Sequence, residues 1–429
     1  MNELHNHRIA QLNAVEILDS RGRPTLEVFL KTEGGLQVSA QVPSGASTGI
    51  HEAHELRDCD PHRHHGLGVL QACANVRGEL AQAVLGLDVR EQAQIDAALI
   101  AADASPAKRR LGANAILGIS CAAARAAAQI EGVPLWRYLA QDRTPILPLP
   151  MVNILSGGLH AARAMEFQDF LAMPHRAHTF QQAMEWIANI HRAAREVLEA
   201  QGSRFTGVAD EGGWGPILPT NGAALDVMVH AIERAGLRPG EDVSIAIDVA
   251  SSHFFGEGSY HLHSEGRSLS AEEFIALLES WTRAYPIVSI EDGLEQNDWT
   301  HWPVLTKSLG EKCQIVGDDF LTTNPARLTR AIDSQAANAV LVKMNQIGTL
   351  TETFEVVDKA QAAQWRAVIS ARSGETEDPF LADLAIASGM AQIKVGSITR
   401  SERLAKYNRL LVLEQEGLLP HWSAALSFG

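Results

Sequence analysis

From about residue 150 onward the chain repeats one pattern. A short apolar run ends in a charged or polar residue, and a stretch with helical spacing follows. The runs 243–247, 286–290, 314–317, 339–342, 367–370 and 391–393 lead into Asp248, Glu291-Asp292, Asp318-Asp319, Lys343, Arg372-Ser373 and Lys394. These polar ends lie 43, 27, 25, 29 and 22 residues apart, each interval long enough for one strand and one helix. Repeated βα units predict a parallel sheet. Six polar strand ends converging on one site suit a closed barrel better than an open doubly wound sheet.

The first 140 residues follow a different pattern. Residues 15–18 and 25–31 alternate like strands around the turn Asp19-Ser20-Arg21-Gly22. Residues 36–42 read as a third strand that runs into the small, flexible segment from Pro43 to Gly49. Ala-rich helical patterns continue to about Gln141, and Pro145, Pro148 and Pro150 mark a boundary. The expected organisation is an α+β domain over 1–141 and an α/β domain over 150–429.

Composition narrows the function. The 429 residues carry 51 acidic and 36 Lys or Arg side chains, for a net charge of −15. Such a chain repels phosphate backbones, so nucleic acid is not the expected partner. The apolar stretch 113–128 is interrupted by Asn114 and Arg125 and is too short to span a membrane. The opening residues lack the apolar region of a secretion signal. Cys59, Cys73, Cys121 and Cys313 form no CxxC pair and read as reduced thiols. The expectation is a cytoplasmic protein without a membrane partner.

Asp248, Glu291 and Asp318 end successive barrel strands. Singly, each would cap a helix or join an ion pair. Together they would repel one another unless a cation held them, and an all-oxygen set selects Mg²⁺ or Mn²⁺ over zinc. Lys343 and Lys394 end further strands of that face; each is either a salt-bridge partner of those acids or functional. Beside a dication, Lys343 becomes a candidate base. Glu211, in Asp210-Glu211-Gly212-Gly213, is a candidate acid exposed by a glycine turn, with a solvated turn as the alternative. Arg372-Ser373-Gly374 and the Ser44–Gly49 loop offer donors for a phosphate. His62, His64 and His65 fit no zinc spacing and read as solvated surface.

Nine segments in order carry a further signal: ILDSRGRPT (17–25), VPSGASTG (42–49), LGANAILG (111–118), DEGG (210–213), SIED (289–292), VGDD (316–319), KMNQIG (343–348), RSGETED (372–378) and RSERLAKYN (400–408). Together they resemble the enolase family over nearly the whole chain. The resemblance implies a modified eight-fold α/β (TIM-type) barrel with an N-terminal α+β capping domain, assembled as a homodimer or homo-octamer. It implies conversion of 2-phosphoglycerate to phosphoenolpyruvate with two Mg²⁺ per site. Asp248, Glu291 and Asp318 would hold the first ion and Ser47 would reach the second. Lys343 would be the base and Glu211 the acid, with Asp169 and Lys394 as further catalytic groups. His160, Gln168, Lys394, Arg372 and Ser373 would meet the substrate.

The chain departs from that family in its expected binding residues. Ala371 stands where enolases carry His, and Asp169 where they carry Glu. Ser156 replaces the usual Asn, and Ala161-Ala162-Arg163-Ala164 follows His160. Asp169 would carry its carboxylate about 1.5 Å short of a Glu, and a displacement of about 1 Å can cost on the order of 100-fold in rate. Room at Ala371 leaves as an alternative a paralogue acting on an enlarged substrate, as carboxyphosphonoenolpyruvate synthase acts on a carboxyl-bearing phosphonate. The remaining alternative is a non-catalytic binding protein.

Overall fold

Asp19 sets the first turn. Its Oδ1 accepts from the backbone N–H of Arg21 (2.8 Å) and Arg23 (2.9 Å), reversing the chain between β1 (Ile9–Leu18) and β2 (Pro24–Thr32). These strands pair antiparallel, and β3 (Gln37–Gln41) adds to β2. β1 begins well before residue 15, because a register shift near Ile9–Gln11 breaks the alternation there. The computed structural model describes residues 6–45, 49–163, 165–204, 206–417 and Trp422.

Helices α1 (Leu70–Arg77), α2 (Glu79–Val84), α3 (Gln92–Asp103), α4 (Ala113–Ile130) and α5 (Leu135–Ala140) complete the cap. α4 is buried around almost its whole circumference, which accounts for its alanines. Small side chains let it lie directly on β2 and β3. At Gly118 a Cβ would run into Cγ2 of Val28.

β4 (Leu149–Ser156) and β5 (Asp169–Met173) form an antiparallel hairpin. After α6 (Phe180–Ala200) and α7 (Asn221–Arg234), β6 (Ser244–Asp248) pairs with β5, again antiparallel. The short strands β7 (Phe255–Gly256), β8 (Ser259–Leu262) and β9 (Arg267–Leu269) make a side sheet. Parallel strands then alternate with helices: α8 (Ala271–Ala284), β10 (Ile287–Glu291), α9 (Trp302–Leu309), β11 (Gln314–Gly317), α10 (Pro325–Asp333), β12 (Ala339–Val342), α11 (Met344–Ile347), α12 (Leu350–Ala362), β13 (Arg366–Ser370), α13 (Phe380–Ser388), β14 (Gln392–Gly396) and α14 (Ser401–Gln415). β14 closes the barrel on β4.

The expected α/β barrel with an N-terminal α+β domain is present, with one correction. The sheet is not wholly parallel, because β5 runs against both neighbours. Among the described residues of 157–168 there is only a single 3-10 turn (Gly158–Ala161), and such a short link returns the chain antiparallel. The reversal has a consequence for the site. The first residues of β5, not its last, lie at the barrel mouth, so Asp169 stands opposite Asp248.

Leu149, Met151, Leu171, Met173, Ala246, Val316, Ala339, Leu341 and Val368 fill the barrel interior. The interior is therefore a packed core, and polar groups are displaced to the strand ends. Contacts that fasten the cap to that end include the reciprocal Ser44–Gly374 backbone bonds (2.8 and 2.9 Å), Arg125–Asp378 (2.7 Å) and Lys108–Glu352 (2.9 Å). Among the described residues no helix is long and apolar enough to cross a membrane.

The approach of α4 to β2 gives a stability prediction. Gly118→Val should cost about 1–3 kcal/mol through overpacking, seen as a lower midpoint in urea or thermal unfolding. An unchanged midpoint would contradict this packing.

Candidate functional site

Lys394 lies within β14, not at its end as the sequence suggested, and its side chain reaches across the barrel mouth. Its ammonium donates to Asp248 Oδ2 (2.8 Å) and Glu291 Oε2 (2.7 Å). All three groups are buried. Burial works against ionised Asp248, yet Lys394 outweighs it and holds this carboxyl below the usual range. Burial and the Asp248 charge push Glu291 well above it. Gln168 Nε2 also donates to Asp248 Oδ2 (3.1 Å).

Asp318 turns to a different ammonium, that of Lys343, with which it is in hydrogen-bond contact. Gln346 Nε2 donates to its other oxygen (2.8 Å). Burial would depress Lys343, but the Asp318 charge overrides this and raises it. Asp292 fixes the turn beneath: its oxygens accept from the backbone N–H of Asp318 (2.9 Å) and Asp319 (2.8 Å). Burial and adjacent Asp318 push the Asp319 carboxyl up to about 7.

The third group sits where β4 and β5 meet. His160 Nδ1 lies 3.1 and 3.2 Å from the two Asp169 oxygens, and its Nε2 lies 3.8 Å from Glu211. Burial would depress the imidazole, but Asp169, with Glu211 beyond, pushes it up to about 9. Asp169 Oδ1 also accepts from Asn153 Nδ2 and from Ser156 Oγ (3.3 Å). Two departures from the enolase pattern, Ser156 and Asp169, thus touch each other. Glu211 is exposed to the cavity by the expected glycine turn. Gly212 has φ +91°, and its N–H donates to Ala209 O (2.9 Å). Burial would raise Glu211, but His160 and Arg403 outweigh it and hold the carboxyl below its ordinary value.

Arg372 faces the cap. Its guanidinium forks onto Glu52 (2.8 and 3.2 Å) and donates to Asn345 Oδ1 (2.9 Å). Burial opposes its charge and Glu52 more than compensates. Glu52 also accepts from the Gly49 N–H (2.8 Å), tying the loop to the barrel. Behind Arg372, the buried guanidinium of Arg403 donates to the carbonyls of Arg372 (2.6 Å), Val395 (2.9 Å) and Ser373 (2.7 Å). Ser373 Oγ accepts from Arg21 (3.3 Å). Ala371 lines the cavity beside them, where its side chain ends at Cβ. Ser47 lies outside the described residues.

His160, Gln168, Glu211, Asp248, Lys343, Ala371, Arg372, Ser373 and Lys394 line one cavity of about 20 Å³. That is room for about one water, with the Lys343 and Lys394 side chains on its wall. Asp169 is not on its wall.

The donors fit a hard divalent cation. They are all carboxylate oxygens, and the buried Glu291 Oε1 has no hydrogen-bond partner. Asp248 and Glu291 share Lys394 while Asp318 holds Lys343, so ammonium groups supply the positive charge here. Among the described residues, the ligand atoms that converge are those of Asp292, Asp318 and Asp319, and separately those of His160, Asp169 and Glu211.

Sequence reasoning missed Glu52, Asn153, Asp292, Gln346 and Arg403. Asp292 and Gln346 stood inside segments already singled out, SIED and KMNQIG. Arg403 likewise stood inside RSERLAKYN, whereas Glu52 carried no local signal, because its partner is 320 residues away.

Comparison with family models gives two matches. The enolase N-terminal domain matches residues 9–139, and the enolase C-terminal TIM barrel domain matches residues 144–419.

Glu52 occupies the fork that an incoming anion would need. Glu52→Gln removes the competing charge, so inorganic phosphate should bind about tenfold more tightly, a gain of ~1.4 kcal/mol. Calorimetric titration measures this, and an unchanged or weaker constant would show that Glu52 does not compete.

Proposed function

Because the chain belongs to the enolase family, we propose that it is a hydro-lyase acting on 2-phosphoglycerate or a close analogue. It takes the proton α to the carboxylate, expels the β-hydroxyl as water and leaves an enolpyruvate. The observation that carries this reading is the shared cavity: Lys343, Glu211, Lys394, His160 and Arg372 face one enclosed space at the barrel mouth.

The roles follow from the chemistry. An α-proton beside a carboxylate is barely acidic, because its loss puts a second negative charge on that group. Lys343 is the base and must be neutral to act, whereas Asp318 holds its proton on. Asp248, Glu291 and Asp318 would hold magnesium, with Ser47 on a second ion, and the metal would supply positive charge that stabilises the dianion; Asp318, engaged there, would no longer hold the Lys343 proton. Lys394 adds a fixed ammonium on the same side. Glu211 gives its proton to the departing hydroxyl. The anionic substrate raises Glu211 from its depressed value, and protonated His160 is its neighbouring proton source. Arg372 and Ser373 hold the phosphoryl group, and Gln168 orients the carboxylate end through its contact with Asp248.

A second reading rests on Ala371. The missing imidazole leaves room beside the anion fork, which suits a substrate enlarged at phosphorus. That reading is the carboxyphosphonoenolpyruvate synthase reaction of phosphonate and phosphinate pathways. In both readings residues 1–141 cap a catalytic domain at 150–429, and the protein works in the cytoplasm as a homodimer or homo-octamer.

The deciding assay is the absorbance rise of phosphoenolpyruvate when protein and Mg²⁺ meet 2-phosphoglycerate. Turnover on the order of 10 s⁻¹ or more identifies 2-phosphoglycerate as substrate. Turnover orders of magnitude lower, with activity on the carboxyl-bearing phosphonate, selects the second reading. Chelation should abolish either activity and added Mg²⁺ restore it. On the true substrate, Lys343→Ala should lower turnover by roughly 10²–10⁴-fold with metal binding retained, and undiminished turnover would remove Lys343 as base. If room at Ala371 narrows the substrate range, Ala371→His should raise activity on 2-phosphoglycerate, and no gain would count against that account.

A further inference from the structure

We propose that Arg21, in the first turn of the cap, is a positioning residue for the anion site: it orients the Ser373 hydroxyl so that its proton is presented to a bound phosphoryl group. The proposal rests on the reading above that Arg372 and Ser373 hold that group.

The turn that begins at Asp19 docks on the loop after β13, which carries Arg372 and Ser373. The Ser20 N–H donates to the Glu375 carbonyl (2.8 Å), and the Glu375 N–H donates to Ser20 Oγ (3.2 Å). A Cβ at Gly374 would run into Asp19 and Arg21. The Arg21 side chain is 6% exposed, and its guanidinium meets three residues at this junction. Nε and Nη2 donate to Asp19 Oδ2 (3.3 and 3.0 Å), Nη2 also donates to the Ser44 carbonyl (3.1 Å), and Nη1 donates to Ser373 Oγ (3.3 Å). One buried side chain thus joins the cap turn, the start of the Ser44–Gly49 loop and the serine of the anion site.

The chemistry of the pair sets a direction. A guanidinium carries donors only, whereas a serine hydroxyl has one proton and two lone pairs. In the Arg21–Ser373 bond the hydroxyl is therefore the acceptor, and its proton goes to another group. Ser373 lines the catalytic cavity and Arg21 does not, so Arg21 acts through Ser373. Asp19 neutralises the guanidinium, so Arg21 contributes orientation and not long-range attraction. Arg403 already holds the carbonyls of Arg372 and Ser373 from the barrel side. The backbone of the loop is fixed from there, and the hydroxyl rotor is left to the cap.

A double-mutant cycle on the whole chain tests this, with inorganic phosphate as the probe and calorimetric titration as the readout. Arg21→Met should weaken phosphate binding about fivefold, the scale of one hydrogen bond. In Ser373→Ala the hydroxyl is gone, and adding Arg21→Met should then change binding less than about twofold. An equal loss in both backgrounds would overturn the proposal, because Arg21 would then only support the fold. Binding that responds to Ser373→Ala and ignores Arg21→Met would overturn it alone. Binding that ignores Ser373→Ala would overturn the reading of Ser373 as a phosphoryl donor, and this proposal with it. If Arg21→Met does not fold, Arg21→Met combined with Asp19→Asn, which leaves no buried carboxylate unpaired there, takes its place in the cycle with the same outcomes.

Discussion

Too many carboxylates share the mouth of this barrel, and everything around them answers to that fact. Asp248, Glu291, Asp292, Asp318 and Asp319 are all buried there. Ionised together without compensation they would unfold the site, because a buried charge must be paired, hydrogen-bonded or neutralised. The fold uses all three remedies. Lys394 bridges Asp248 and Glu291, and Lys343 meets Asp318. Backbone amides satisfy Asp292. Burial and the Asp318 charge push the Asp319 carboxyl up to about 7, toward its neutral form. The two lysines that the proposed chemistry needs are therefore also the groups that make the acidic mouth tolerable, which gives them a structural reason to stay.

The same logic extends to the cap. Arg372 is a cation facing the cavity, and Glu52 from the N-terminal domain neutralises it. Through Glu52 the two domains share one electrostatic network, since Gln346 approaches both Glu52 (3.3 Å) and Asp318 (2.8 Å). A small cavity is the natural result. Each charge has found an internal partner, and an anionic substrate must replace one of them. Release of Glu52 from Arg372 would loosen the loop at Gly49 as well, because the same carboxylate holds its N–H.

Much of this was legible in the sequence, and the rest was hidden for definite reasons. The βα rhythm from residue 243 onward reports strands whose polar ends fall on one face, so Asp248, Glu291, Asp318 and Lys343 could be placed before any coordinates. The hairpin of β4 and β5 has no such rhythm, since its strands reverse through a loop instead of a helix. Its reversed direction, which brings the start of β5 to the mouth, is a matter of topology and leaves no local trace. Lys394 was placed at a strand end although β14 continues to Gly396, because Val395-Gly396 is too short a run to declare itself. Pairings such as Glu52–Arg372 depend on where two domains meet, and periodicity within either says nothing of that.

The departures from the enolase pattern make sense as a group. Asp169 is too short to stand on the cavity wall, and its oxygens are engaged by Asn153, Ser156 and His160. Ser156 replaces a larger amide and fits against that retracted carboxylate. The group left facing the cavity is His160, oriented by Asp169 on one nitrogen and directed at Glu211 with the other. A histidine held this way keeps its tautomer and its charge. Negative charge has thus been drawn back from the wall at Asp169, and an imidazole is missing from it at Ala371. Lys343 and the carboxylates Asp248, Glu291 and Asp318 lie outside both changes, while Glu211 is reached only through His160. On the function proposed above, such a division leaves the base for proton removal in place and alters the space and charge around the groups the substrate presents, the outcome expected where selection acts on substrate shape and leaves the reaction alone.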